Sequence, residues 1–286
     1  MIQIFTDTSA NLPAAYIQKY SLRVIPLHYS INGVQAEQDP TIDFDGKTYY
    51  DAMRSGAPVS TAMINLAAFL EPLHAALAAG DDVIYIGMSG GISGTANSAA
   101  IAVDELREKY PERRLAAIDT YAASLGEGLQ VLDAARMADA GVEFDEIVAY
   151  LERERHRMCQ YFTVADLEYL KRNGRLSGVV ALAGTLLNIK PILMGDETGH
   201  IVQCGKVRGT QRALEKLADK YDELAADRTA DIGIAHADNP QGAETLLAKL
   251  RALGFRGNCM TVMYEPVTGS HVGPGTVALF YPGVHK

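Results

Sequence analysis

Residues Val83 to Val103 read VIYIGMSGGISGTANSAAIAV. Val83 to Ile86 is a short apolar run with β-branched residues, the pattern of a parallel strand covered on both faces. Met88 to Thr95 is small and hydroxyl-rich, and Gly90, Gly91 and Gly94 let the backbone turn sharply and come close to a partner. Ala96 to Val103 has helical composition. A strand that feeds a helix through such a turn gathers free backbone N–H groups and the positive end of a helix dipole at one spot, which favours an anion. Ser89, Ser93 and Thr95 add hydroxyl donors. A tight turn needs small residues for packing alone. Three hydroxyls and three glycines in eight residues exceed that need, so an anionic head-group site is the preferred reading. The glycine spacing is not G-x-G-x-x-G and no Lys follows as in a P-loop, so a nucleotide is not specifically indicated.

The same order of strand, polar turn and helix recurs on either side. Ile2 to Phe5 precedes Thr6-Asp7-Thr8-Ser9 and a helix from Asn11 to Tyr20. Arg114 to Ile118 precedes Asp119 to Gly128 and a helix from Gly126 to Ala140. This repetition predicts a parallel, doubly wound sheet with ligand loops along its carboxyl edge. From about Gln160 strands alternate with hairpin-like turns, which predicts an α+β unit with a mixed or largely antiparallel sheet. The expected organisation is therefore an α/β domain over residues 1–159 and an α+β domain over residues 160–286. Within it, Asn11 is the expected N-cap of the first helix, and Ser60 or Thr61 that of a helix from Asn65 to Ala79. Asp43 is the expected cap of a short helix ending at Arg54. His271, between Ser270 and the run Gly273-Pro274-Gly275-Thr276, is expected in a fixed loop that exposes its imidazole.

Composition narrows the partners. Twenty-six basic against thirty-five acidic residues give a net charge of −9, which argues against a general nucleic-acid or anionic-membrane binder. The odd, widely spaced Cys159, Cys204 and Cys259 suggest neither zinc nor a disulfide framework, and read as small buried residues in a reducing cytoplasm. No basic start or long apolar run marks a signal peptide or a membrane span. No pair of His or carboxylate residues has metal-ligand spacing. The one basic cluster is Lys171, Arg172 and Arg175. It either compensates a helix C-terminus or docks an acidic partner or phosphate, and docking is preferred.

Two readings of the hydroxyl and imidazole groups stay open on the residues alone. Ser93 and His271 have the chemistry of nucleophile and base, although no G-x-S-x-G elbow and no orienting acid is evident. Alternatively, Thr61, Ser93 and His271 hydrogen-bond one carboxylate, with Arg208 as a nearby counter-charge. Two apolar stretches, the run Val179 to Leu187 and the helix Asn65 to Ala79, are candidate walls for such a ligand, though ordinary core explains any one residue.

TDTSANLP, the Ser60-Thr61 turn, SGGISGTANSA, IDTYAASLGEG, DLEYLKRNGRLSG, LLNIKPIL, KVRG and GSHVGPGT follow in order along almost the whole chain. Together they resemble the DegV family of bacterial fatty-acid-binding proteins. The resemblance implies a carrier rather than an enzyme. It would bury a long-chain fatty acid and present the carboxylate to a separate ATP-dependent fatty acid kinase, which makes an acyl phosphate for phospholipid synthesis. It implies carboxylate contacts at Thr61, Ser93 and His271, with Arg208, Gly94 and Ser60 beside them, and kinase docking at Lys171, Arg172 and Arg175. No cofactor, metal or nucleic acid is called for; the setting is cytoplasmic, with transient contact to a membrane surface. Two positions depart from the family pattern: Ala62-Met63-Ile64-Asn65 replaces a Gln-Pro-Ser-like continuation after Thr61, and Gly91 stands where Leu is commoner. The rivals are a Ser/His-dependent ester hydrolase and a small-ketone-binding subunit like that of dihydroxyacetone kinases.

Overall fold

The computed structural model describes residues 1–177 and 188–284. In chain order its strands are β1 (Ile2–Asp7), β2 (Arg23–Ile25), β3 (His28–Ile31), β4 (Val34–Glu37), β5 (Val59–Ala62), β6 (Asp82–Gly87), β7 (Leu115–Asp119), β8 (Met158–Thr163), β9 (Ile189–Gly195), β10 (Ile201–Arg208), β11 (Ile232–His236), β12 (Cys259–Met263) and β13 (Val277–Pro282). The α-helices are α1 (Ala14–Lys19), α2 (Lys47–Arg54), α3 (Leu66–Ala78), α4 (Thr95–Lys109), α5 (Leu125–Asp139), α6 (Phe144–Glu154), α7 (Glu168–Arg172), α8 (Thr210–Leu224), α9 (Pro240–Ala252) and α10 (Pro266–Val272).

The first sheet has the order β2-β1-β6-β7 and is parallel throughout. Alternation along β6 explains its double cover. Val83 and Tyr85 pack with Phe69 of α3 and Ala99 of α4, whereas Ile84 and Ile86 belong with Leu129 of α5 and Ile147 of α6. The second sheet has the order β10-β9-β8-β13-β11-β12 and is antiparallel except for the β11–β12 pair. Tyr161, Ile234 and Leu279 turn one face to α8 and α9. Phe162, Ala235 and Phe280 turn the other face to α5. A mixed α/β architecture with one parallel and one largely antiparallel sheet is what the sequence predicts.

Helix α5 joins the two sheets, and glycine makes the approach close enough. A Cβ on Gly233 of β11 would lie 2.6 Å from Leu125 Cβ, and one on Gly128 would lie 2.4 Å from the Ala10 carbonyl oxygen. One apolar cluster accordingly runs from Ile4 and Ile86 through Leu129 to Leu193 and Phe280. The third, small sheet is β4-β3-β5. Its β3–β4 turn has Asn32 at φ 53° and Gly33 at φ 78°, the paired positive values that Asn-Gly supplies in a two-residue hairpin.

Several local expectations are corrected. Ser60 and Thr61 lie in β5, and Asn65 caps α3 by accepting the Ala68 N–H at 3.1 Å. Asn11 is left-handed at φ 56° and ends a single 3₁₀ turn, so α1 starts after Pro13 instead. Asp43 does cap a helix, but it is α1, through the Ala14 N–H at 2.9 Å. His271 sits in the last turn of α10 rather than in a loop. That helix forms because Glu265 accepts the Val267 and Thr268 N–H groups at 2.5 and 2.6 Å and Pro266 presets its first turn. Only Cys159 of the three cysteines is buried; Cys204 is exposed. The candidate wall Val179 to Leu187 lies outside the described residues.

Candidate functional site

A cavity lies where the carboxyl edge of the parallel sheet, β5, α10 and the inner face of the second sheet meet. Leu27, Met88, Ile92, Phe162, Ile201 and Phe280 give it apolar walls. This slot has about 860 Å³ of atom-free space, its open mouth included.

One end of the slot is polar. Thr61 Oγ1 lies 3.0 Å from His271 Nε2. His271 Nδ1 is buried and has no hydrogen-bond partner among the described residues. Thr268 Oγ1, also buried, sits beside the Glu265 carboxylate and helps to hold its charge. Both residues line the cavity. They are three apart on α10 and therefore share one helix face. A buried polar atom without a partner costs about 1–3 kcal/mol, so His271 Nδ1 marks a place that an outside group can fill. Burial, and next the Arg175 and Arg172 guanidinium groups, push the His271 imidazole down to about 4. The ring is neutral at neutral pH, with one donor and one acceptor nitrogen. Arg175 itself lines the slot, held by bonds from Nε to the Ile92 carbonyl (3.2 Å) and from Nη1 to the Asn173 carbonyl (2.5 Å).

Ser93 also reaches the slot, but its hydroxyl is engaged. Ser93 Oγ donates to Thr95 Oγ1 at 2.9 Å and accepts the Thr95 N–H at 3.2 Å. The ester-hydrolase arrangement needs a hydrogen bond from nucleophile to base. Here Ser93 bonds Thr95, while His271 Nε2 faces Thr61.

The glycine turn is not an open anion cradle. The Gly90 N–H goes to Asp119 Oδ2, that of Gly91 to Ser89 Oγ, and those of Ile92 and Ser93 to the Ser89 carbonyl. Its glycines instead permit contact with the β9–β10 turn. A Cβ on Gly91 would lie 2.8 Å from the Gly199 carbonyl carbon, and Ser89 Oγ donates to the Gly199 carbonyl at 2.9 Å. That contact leaves no room for a side chain at Gly91.

The structure thus gathers Thr61, Ser93, His271 and Arg175 around one slot. Arg208 is exposed at the end of β10, paired across the ladder with Ile189, and is not among the lining residues. Ser60 points away from the slot's lining and shares a hydrogen bond with Ser30 at 2.8 Å. Gly94 backs the mouth, where an added Cβ would meet Met63 Sδ at 2.6 Å. Lys171 pairs with Glu168 at 3.2 Å, and exposed Arg172 lies over the Tyr169 ring at 5.2 Å. Sequence reasoning missed Thr268 and Gln160 as lining residues. The spacing of Thr268 and His271 was the available signal, hidden because the helix carrying both was read as a loop. Among the described residues no cluster of His, Cys, Asp or Glu could hold a metal ion, and no helix is long and apolar enough to cross a membrane.

Comparison with known proteins places the chain among relatives along nearly its whole length. A DegV domain-containing protein of Clostridium perfringens is 34% identical over 284 residues, covering 99% of this chain and 98% of that protein. The fatty-acid-binding DegV family protein SAG1342 from Streptococcus agalactiae has a structure matching with a TM-score of 0.87 at 30% identity, covering 98% of each chain. A DegV family protein from Thermus thermophilus, described for its fatty acid binding, matches with a TM-score of 0.86 at 30% identity over 98% of this chain and 99% of its own. The family model described as "Uncharacterised protein, DegV family" matches residues 1–283, and the chain belongs to that family.

Proposed function

We propose that this protein binds a long-chain fatty acid and presents its carboxylate to a partner ATP-dependent fatty acid kinase, which forms the acyl phosphate. The observation that carries the reading is the unpartnered buried His271 Nδ1, beside Thr61 at the polar end of an apolar slot. A carboxylate leaving water needs donors, and Thr61 and the neutral His271 supply them. Arg175 adds positive charge without a bidentate clamp, since its Nε and Nη1 are already bound to carbonyls. The relatives described as fatty-acid-binding support the same occupant. Burying each methylene is worth about 0.8 kcal/mol, so a chain with about 14 of them gains on the order of 11 kcal/mol gross. Ordering of the chain and desolvation of the carboxylate reduce that figure. On this reading the protein is a carrier subunit, and the phosphoryl chemistry belongs to the kinase.

The test begins with organic extraction and mass spectrometry of the purified protein, which should release a fatty acid. Supplied with the kinase and ATP, the loaded protein should yield acyl phosphate. The Lys171→Glu, Arg172→Glu variant should keep its fatty acid but couple more weakly, with the deficit greatest at low salt. An empty protein that resists loading rules out the carrier. A loaded protein that no kinase phosphorylates rules out the presentation step alone.

A further inference from the structure

Four of the residues that line the slot lie in one row of the second sheet. Across the second sheet, Ile201 pairs with Gly195 and Phe280 with Gln160. The β8–β9 register, Tyr161 opposite Met194 and Phe162 opposite Leu193, places Gln160 opposite Gly195 at the next step. Ile201, Gly195, Gln160 and Phe280 thus form one transverse row on one face, and all four line the cavity. Phe162 is one step further along that face of β8. Beyond it the chain turns into α7, which packs on α10, the helix of His271. Lining residues therefore extend along β8 from Phe162, on the side of α7 and α10, to the row of Gln160.

Gln160 crosses the slot. From β8 its Nε2 donates to the Tyr121 carbonyl at 2.8 Å, and its Oε1 accepts the Ala123 N–H at 3.1 Å. Those groups belong to the loop after β7, on the opposite wall, where Tyr121 has a left-handed φ of 51°. Glycine boxes the amide on both flanks. A Cβ on Gly195 would lie 2.7 Å from Gln160 Nε2, and one on Gly126 would lie 3.1 Å from its Oε1. An amide bonded at both ends and boxed in this way is fixed, and it ties the two walls together.

We propose that Gln160 is the end stop of the acyl slot, a positioning residue that sets the length of chain the protein accepts. This rests on the fatty-acid reading. The terminal methyl of the bound chain would meet the aliphatic stem of Gln160 and the gap left by Gly195. The protein, stripped of lipid, is offered an equimolar series of straight-chain saturated acids from dodecanoic to eicosanoic. The bound fraction is then extracted and its length profile measured by mass spectrometry. Gln160→Ala should move the maximum by about two carbons toward longer chains, the space vacated by the deleted carboxamide and its stem. Gly195→Ala should move it by about two carbons toward shorter chains, because the new methyl drives the amide into the slot. Gln160→Met conserves volume and should leave the maximum in place. Ile201→Ala, half-buried in the same row, enlarges the same end and should lengthen the preference even if Gln160→Ala does not fold. A profile unchanged in every folded variant of the row that still binds fatty acid overturns the end stop. Wild-type protein that takes up no acid of the series overturns the carrier reading itself.

Discussion

Thr268 Oγ1 is buried, lines the slot and sits beside the Glu265 carboxylate, which also caps the backbone N–H of the same residue at 2.6 Å. Thr268→Val keeps the shape, the β-branch and the capped N–H, and removes only the hydroxyl. Without ligand the variant should be less stable than wild type by about 1 kcal/mol, the net worth of one hydrogen bond. Thermal melts of stripped protein measure the loss, and a variant more stable than wild type would show that the hydroxyl has no partner in the fold. The residue most visible in the sequence, Ser93, is the one whose hydroxyl is already engaged, by Thr95. Sequence shows which side chains carry a hydroxyl but not which of them a neighbour has used.

Helix α10 decides where His271 and Thr268 stand, and other elements hold it from afar. Tyr49 Oη donates to the Pro266 carbonyl and Tyr50 Oη to the Tyr264 carbonyl, each at 2.8 Å. Asn11 donates to the Met263 carbonyl at 3.0 Å and accepts the Glu265 N–H at 3.2 Å. A Cβ on Gly269 would come within 2.0 Å of Tyr50 Oη. Gly269→Ala should therefore push α10 off α2, costing about 1–3 kcal/mol as overpacking does. Tyr50→Phe removes the offending oxygen, so the double variant should be less destabilised than the sum of the single ones, by about 1 kcal/mol. Denaturant titration of the four proteins measures that coupling, and strict additivity would mean that the two residues do not press on each other. These contacts also explain what was legible. The strand–turn–helix units of the parallel sheet show in the sequence because each is closed within about thirty residues. Helix α10, short and holding a glycine, depends on tyrosines more than two hundred residues earlier. Local composition could only suggest a loop there. The glycine turn failed in the opposite way: its small residues were legible, but their use against the Gly199 turn rather than an anion depends on a contact between distant segments.

At the scale of the whole molecule, the polar group Thr6-Asp7-Thr8-Ser9 faces inward where the sequence allowed a ligand loop. Ser9 Oγ lies 2.5 Å from Asp7 Oδ1 and 2.6 Å from Glu127 Oε2. One hydroxyl has one proton to give, so one of the two carboxyls must be protonated and donate. Asp7 also accepts from Tyr85 Oη at 2.6 Å and from the Ser9 N–H at 2.9 Å, which suits the ionised member. Glu127 suits the neutral member: burial, and next the charge of Asp7, hold its carboxyl well above the ordinary range. This pair ties β1, β6 and α5 together, and it makes stability depend on pH in a defined direction. In the unfolded chain Glu127 loses its proton as pH rises past about 4.5, while in the folded chain it keeps it. The folded state then binds more protons, so the contribution of Glu127 is fully present in acid and declines as pH rises. Glu265, pushed up to about 7, acts in the same sense, and His271, pushed down to about 4, acts in the opposite one. Comparison with a single variant separates Glu127 from both. Glu127→Gln mimics the protonated acid and can still donate to Ser9 and accept from Thr6. Its melting temperature should match wild type near pH 5 and exceed it by a few degrees at pH 8. A difference between the two proteins that is the same at both pH values would show that Glu127 does not carry the shared proton.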